Sequence, residues 1–551
     1  MPSQKRIQEN QDKGNQPKNS HRLSPHTRSY IRSHISISIG ISTLLLADMV
    51  FQISPAAAEI SGDGSFGTLV NLSERAACTA LQCTITGGTL NSSKSSLFHS
   101  FEQFSIPGNT GSQSAQFVDP GVNDIIVRVT GDRSSLINGL LSARTAAGTS
   151  SNANLFLLNT QGIRFGPNAQ LDLGGNFTAS TANEILFDGK IAIATSAATP
   201  PSPSLLTVST PICLGFFSNT GAPPSSGAIT VQGTGNLLTT GSPTAPGPFV
   251  NRLFRDAAAL PPNFPPVPPL SELAVQPGKV ITLIGNGISL SGGNITATGG
   301  QINLGSIESG QILFSADTGK DSGFDATQVD QYSDITLNER SSLEASNPQS
   351  DALSPGILSP GDIFIRGRNI TLDNGSIVLA ETLPTANPIA NPATITSGGS
   401  IDIAATEQII LTDNPREAPY PGAPPFLTIA SQLSENVAPG ATGPGGEITV
   451  SANNLTLDNG GKIEATTFGS GNAGRLNIEI TDAIDLTGGG AIGPSGIFSV
   501  SEASATGDAG LIDITTNRLS LQQGGSMVTS SASTGASGSI RIAAEWDHRP
   551  H

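Results

Sequence analysis

Residues 151–182 read SNANLFLLNTQGIRFGPNAQLDLGGNFTASTA, and apolar side chains recur there at every second position: Leu155 and Leu157, Ile163 and Phe165, Leu171 and Leu173. A period of two puts successive side chains on opposite faces, which marks strands rather than helix. Between the three runs stand Asn159 to Gly162, Gly166-Pro167-Asn168 and Gly174-Gly175, residues that tolerate φ > 0 or fix a turn. Strands this short, turning this often, predict a chain that winds through the successive parallel faces of a solenoid.

The same stretch resembles the N-terminal secretion domain of the two-partner secretion exoproteins, the filamentous haemagglutinin family. That family carries Asn-Pro-Asn-Leu-like and Asn-Pro-Asn-Gly-Ile motifs, matched here by Asn152-Ala153-Asn154-Leu155 and Asn159-Thr160-Gln161-Gly162-Ile163. The outer Asn, Gly and Ile are kept, and Thr160-Gln161 depart from the pattern. Upstream, Leu97-Phe98-His99-Ser100-Phe101 with Phe104 and Ile106-Pro107 resembles the family's LFHSF segment. Arg128-Val129-Thr130-Gly131 followed by Ile137-Asn138-Gly139 resembles its RVTGG stretch. The resemblance implies a right-handed parallel β-helix and export through a cognate Omp85-type outer-membrane transporter whose periplasmic domains read the chain. It carries over Asn152, Asn154, Asn159, Gly162 and Ile163 as transporter-recognition positions.

The remaining sequence fits the same class. Only 13% of residues are charged and 5% aromatic, while 63 Gly and 38 Pro supply turns, and no long stretch shows helical apolar spacing, so the fold is all-β. From about residue 273 a second order sets in. Gly292-Gly293-Asn294-Ile295, Gly399-Ser400-Ile401-Asp402-Ile403, Gly446-Glu447-Ile448-Thr449-Val450 and Gly538-Ser539-Ile540-Arg541-Ile542 each place glycine before alternating apolar and polar residues. A second strand and turn follow in Ile370-Thr371-Leu372-Asp373-Asn374-Gly375, Leu455-Thr456-Leu457-Asp458-Asn459-Gly460 and Leu519-Ser520-Leu521-Gln522-Gln523-Gly524, and a third strand in Lys462-Ile463-Glu464. Three strands per unit predict a β-helix of roughly 20 turns at about 20 to 30 residues each.

The N-terminal segment 1–58 is basic through residue 34, apolar from Ile35 to Ala47, and ends in Pro55-Ala56-Ala57-Ala58. This is an extended Sec-type signal peptide with cleavage expected after Ala58. Residues 59–250 form the expected secretion domain, 251–272 a Pro-rich linker or loop, and 273–551 a repetitive passenger whose tail reads as truncated or remodelled. Seven of the 27 Lys and Arg but only three of the 43 Asp and Glu fall in 1–58, so the exported part is strongly acidic. A surface of that sign disfavours nucleic acid.

Chemistry is sparsely provided. Beyond residue 58 the histidines are His99, His548 and His551, which rules out a His-centred triad or multi-His metal site in the repetitive array, and no cofactor motif occurs. His99 reads as a packed structural histidine. The acidic run Asp317, Asp321, Asp325, Asp330 and Asp334 reads as a solvated loop, and Asp373-Asn374 and Asp458-Asn459 as Asx residues that shape stacked turns. Cys78 and Cys83 either close a small disulfide loop in an oxidising compartment or stay as two buried thiols, whereas Cys213 reads as a lone core residue. The function expected is that of a secreted, non-enzymatic adhesin or surface-layer component facing an unknown receptor or carbohydrate. The alternatives are a β-helical polysaccharide lyase or glycosidase, and a fragment of a secreted toxin.

Overall fold

The computed structural model describes residues 59–544, except 79, 109–112, 188–190, 196–210, 218–225, 237, 243–244, 252–270, 315–322, 348–359, 385–397, 414–428 and 491–492. All of them belong to one compact unit from Ile53 to His551. The signal segment, the body of the Pro-rich stretch and the tail after Ala544 lie outside the described residues, and so does most of each Pro-rich excursion, 385–397 and 414–428.

No helix occurs among the described residues. The chain is a parallel β-helix with three faces. On the first, twelve strands pair in parallel from Ser96–Ser105 through Asp124–Val129 and Asn154–Asn159 to Ser539–Ala544. Inward residues stack into columns: Ile363, Ile401, Ile448, Leu476 and Ile512 are register partners on successive rungs and have no exposed surface. Each such side chain removed from water contributes about 2 kcal/mol, and no rung buries its inner face until a neighbour lies on it. Among the described residues the first face has twelve rungs where about 20 turns were expected, because chain is spent on strands outside the coil such as Glu184–Phe187, Pro211–Phe216 and Asp325–Tyr332.

One excursion builds a second layer. Glu184–Phe187 pairs antiparallel with Ile191–Ala194 and Pro211–Phe216, Pro211–Phe216 with the end of Gln301–Leu313, and that segment with Asp325–Tyr332. This five-stranded sheet covers the outward apolar residues of the first face: Phe98, Ile126, Phe156 and Leu158 join Phe187, Leu214, Phe216 and Ile312 in a separate core. The stretch read as an acidic loop is therefore, from Asp325 onward, a strand. A second excursion leaves after Ile229–Gln232 and returns at Leu273–Ala274, its two ends clasped by Thr234 and Ser271. Within it Leu238 packs on Ile377, Leu379 and Ile429.

The glycine before each first-face strand from Gln301–Leu313 onward has a steric cause. A Cβ on Gly361, Gly399, Gly446, Gly474, Gly510 or Gly538 would collide with the carbonyl oxygen of the glycine one rung earlier. The corner is a column of backbones in contact, and only glycine fits. Gly292-Gly293, which looks alike in sequence, instead precedes the third-face strand Asn294–Thr296. At the opposite corner Asn374 and Asn459 take φ of 53° and 51°, each followed by a glycine with positive φ. The preceding aspartate accepts the backbone N–H of its own asparagine at 2.7 Å in both turns, the local bonding that lets Asx residues occupy this region.

Gly446→Ala should destabilise the protein by about 3 kcal/mol through overpacking, whereas Ser451→Ala on the same strand should stay within about 0.5 kcal/mol. Urea unfolding of the two variants measures the contrast.

Candidate functional site

The segments singled out in the sequence stack on one another. Ser100 is the register partner of Arg128, and Arg128 of Leu158, so LFHSF, the Arg128-Val129 segment and the strand leading into Asn159 are three successive rungs of the first face. On the second face, Asn138 donates to the Pro107 carbonyl at 2.8 Å and accepts the Asn168 N–H at 2.9 Å, tying the Ile137-Asn138-Gly139 rung to both neighbours.

A buried polar lock joins these rungs to the start of the described chain. Asp63 accepts from the Ser100 hydroxyl at 2.6 Å, the Thr130 hydroxyl at 2.9 Å, and the Ser65 amide and hydroxyl at 2.8 and 2.7 Å. Burial alone raises its carboxyl, but these bonds outweigh it and hold the group below its usual range. Arg128, only 2% exposed, donates to Ser100 Oγ, Ser65 Oγ and the Ala194 carbonyl at 2.8, 3.1 and 3.0 Å, with its guanidinium 4.3 Å from the Phe66 ring centroid. Burial lowers its pKa, and Asp63 opposes the shift. Nothing in the sequence signals Asp63 as the partner, because it lies 37 residues before Ser100.

His99 is fully buried beside Phe101 and Phe117, with Nδ1 3.3 Å from the Thr68 hydroxyl. Burial pushes its pKa down to about 3, so the ring is neutral and structural. Cys78 and Cys83 are disulfide-bonded, their Cα atoms 6.0 Å apart. Cys213 is buried, and burial, with Glu184, pushes its thiol up to about 11. Of the acidic run, Asp334 is held by Arg368 and Asn369, while Asp317 and Asp321 lie outside the described residues.

The five motif positions divide into two groups at opposite ends of Asn154–Asn159, about 17 Å apart along the strand. At its start Asn152 is exposed, and Asn154 belongs to a ladder. Its amide donates to Asp124 at 2.9 Å and its oxygen accepts the Asn176 N–H at 3.0 Å, while Asn176 in turn accepts the Val280 N–H at 3.0 Å. At its end Asn159 is fully buried; its amide donates to the Arg133 carbonyl and Ser135 hydroxyl, both at 2.9 Å, and its oxygen accepts the Gln161 N–H at 2.9 Å. Gly162 has φ of 110°, and Ile163 points inward with Ser135 and Ile229 as register partners. Four of the five thus hold corners or core, and Thr160, at the departure from the motif, is also buried.

A family model described as "TPS secretion domain" matches residues 63–355, more than half of the chain. Among solved structures, the chain is similar to the HMW1 secretion domain from Haemophilus influenzae, 14% identical, covering 87% of this chain and all of that one, with a TM-score of 0.40. It is also similar to a filamentous hemagglutinin secretion domain, 10% identical, covering 87% of this chain and 99% of that one, with a TM-score of 0.32. No curated protein matches.

The His99 geometry sets an acid response. Its folded pKa lies below the unfolded value, so the stability it supports is present above about pH 6.5 and is lost as pH falls toward 3. Between about pH 7 and pH 4 the loss should be about 3 kcal/mol. His99→Leu should flatten this part of the stability profile in urea titrations at stepped pH.

Proposed function

This chain belongs to the TPS secretion domain family, exoproteins carried through the periplasm to the cell surface or the medium with an outer-membrane transporter as partner, and we propose that an Omp85-type barrel reads its first rungs while they are still unwound. The observation that carries this reading is the burial of Asn159, Gly162 and Ile163 in the finished coil. Side chains enclosed this way are accessible to a partner only before the rungs close. An extended segment can add to the edge of a sheet in the transporter's periplasmic domains through main-chain hydrogen bonds, with alternate side chains giving selectivity. Once outside, the same residues stop being a signal and become corners.

Export begins with the Sec machinery and cleavage after Ala58. Residues 59–250 act as the recognised part and 273–551 as the displayed part, although the two share one ladder in which Phe177–Ser180 pairs directly with Val280–Gly285. Winding outside the cell draws the chain outward, because each new rung buries apolar columns and cannot return without exposing them. The displayed rungs serve as an adhesin or a surface-layer or extracellular-matrix component, with outward Asp, Asn, Thr and Ser contacting a receptor or carbohydrate.

Secretion of full-length protein should require co-expression of the cognate transporter. Asn152→Ala removes an exposed side chain and should reduce export without altering the melting temperature of the purified protein. Asn159→Ala should lower both. Undiminished export in the absence of the transporter would reject the reading.

A further inference from the structure

Three buried acids sit on consecutive rungs at the end of the third-face strands. Glu381 follows Ile377–Leu379, Glu435 follows Gln432–Ser434, and Glu464 ends Lys462–Glu464; these strands stack in this order in parallel register. Glu381 and Glu435 have no exposed surface, and Glu464 has 3%. Glu381 accepts from the Ser434 hydroxyl and Glu435 from the Gly446 N–H, both at 2.5 Å, while Glu464 accepts from the Asn436 amide at 3.0 Å.

Other acids face Glu435 and Glu464. Glu381 and Asp362 face Glu435, relieved by the Gly446 and Gly399 amides. Glu464 faces Glu381 and Glu502, with the Lys462 ammonium and the Asn436 amide on the other side. Lys462 also lies 5.9 Å from the centroid of the Phe498 ring. A carboxylate taken out of water among other carboxylates is far better accommodated as the neutral acid.

We propose that winding of this stretch is proton-linked: burying Glu435 and Glu464 in a dry layer beside Glu381 obliges the chain to take up protons as these rungs close. Mildly acidic surroundings then favour the wound state, and alkaline ones loosen it locally. The direction follows from burial, which pushes Glu464 up to about 7 and Glu435 well above the usual carboxylate range. Both groups are ionised in the unwound chain above about pH 4.5 and protonated in the coil to higher pH. Their contribution is therefore complete below about pH 4.5 and lost as pH rises, for Glu464 through about 7. Other described groups are shifted too, among them Asp124 and Glu184, which burial raises. His99 acts with the opposite sign, and Asp413, pushed up to about 6 by burial and Asp373 against Arg340 and the Gly375 amide, acts with the same sign. Neither is altered by changing the three acids.

The test uses the full chain and its Glu464→Gln and Glu435→Gln variants in urea unfolding at about pH 5.5 and about pH 8. The ratio of the Glu464→Gln to the wild-type folding constant should rise about 30-fold between the two conditions. Hydrogen exchange of the wild type, corrected for the intrinsic pH dependence of the rate, should show protection of Gln432–Ser434 and Lys462–Glu464 falling over the same interval, while Gln82–Gly87 keeps its own. An unchanged ratio, or protection of the two strands that does not fall, overturns proton linkage; the exchange measurement needs no variant and decides the matter if the substituted chains fail to fold.

Discussion

Backbone contact between successive rungs governs this molecule. At the corner that opens the later first-face strands, glycines from Gly361 to Gly538 stack so closely that a methyl group has no room. There, rungs about 4.8 Å apart leave space for backbone only, since a side chain would splay the ladder and separate the Ile, Leu and Val columns whose burial holds the coil together. The glycine before the alternating run is thus the condition on which the later columns form, whereas Ser95, Asn123, Ala153, Asn176 and Lys279 precede the strands of the earlier rungs.

A second constraint operates at the first described rung, where no described strand precedes Ser96–Ser105 in parallel. Glu59–Gly62 lies antiparallel on Ser96–Ser105 and covers its open edge. The Asp63, Ser100, Arg128 and Thr130 lock fastens that cap to the next rung. Removing Asp63 would break its bonds to Ser100, Thr130 and Ser65 together and leave buried donors short of an acceptor, a larger penalty than the loss of a single hydrogen bond. Electrostatics here enforces a register that apolar columns, being alike on every rung, do not specify.

Much of this was legible in the residues, for reasons tied to particular positions. Alternation in Ile401-Asp402-Ile403 reports strand directly because the inward side is always apolar, and Asp-Asn-Gly reports the left-handed corner because those side chains tolerate it. What alternation does not report is which face a strand joins: Asn294-Ile295-Thr296 and Ser400-Ile401-Asp402 look alike and belong to different faces. The antiparallel outer sheet was hidden for a related reason, since Pro211–Phe216 has the period of any strand and its partners are set by tertiary packing. The burial of the acids at 381, 435 and 464 has no counterpart in the sequence pattern, because alternation reports the inward side of a strand and not which outward or corner positions become enclosed. The motif asparagines were legible as a group, but their division between two corners depends on the strand between them.

The outer sheet also sets the two sides of a rung apart. Phe98 and Phe156 belong to the earliest rungs, yet the strands that cover them extend to Asp325–Tyr332. Phe98 meets Phe66 and then Phe187, whereas the ring against Phe156 is that of Phe314. The inner coil is built from neighbours one rung apart, while its outer flank is assembled from strands that lie far along the chain. An early rung can therefore be complete on its inner side and still open on its outer one.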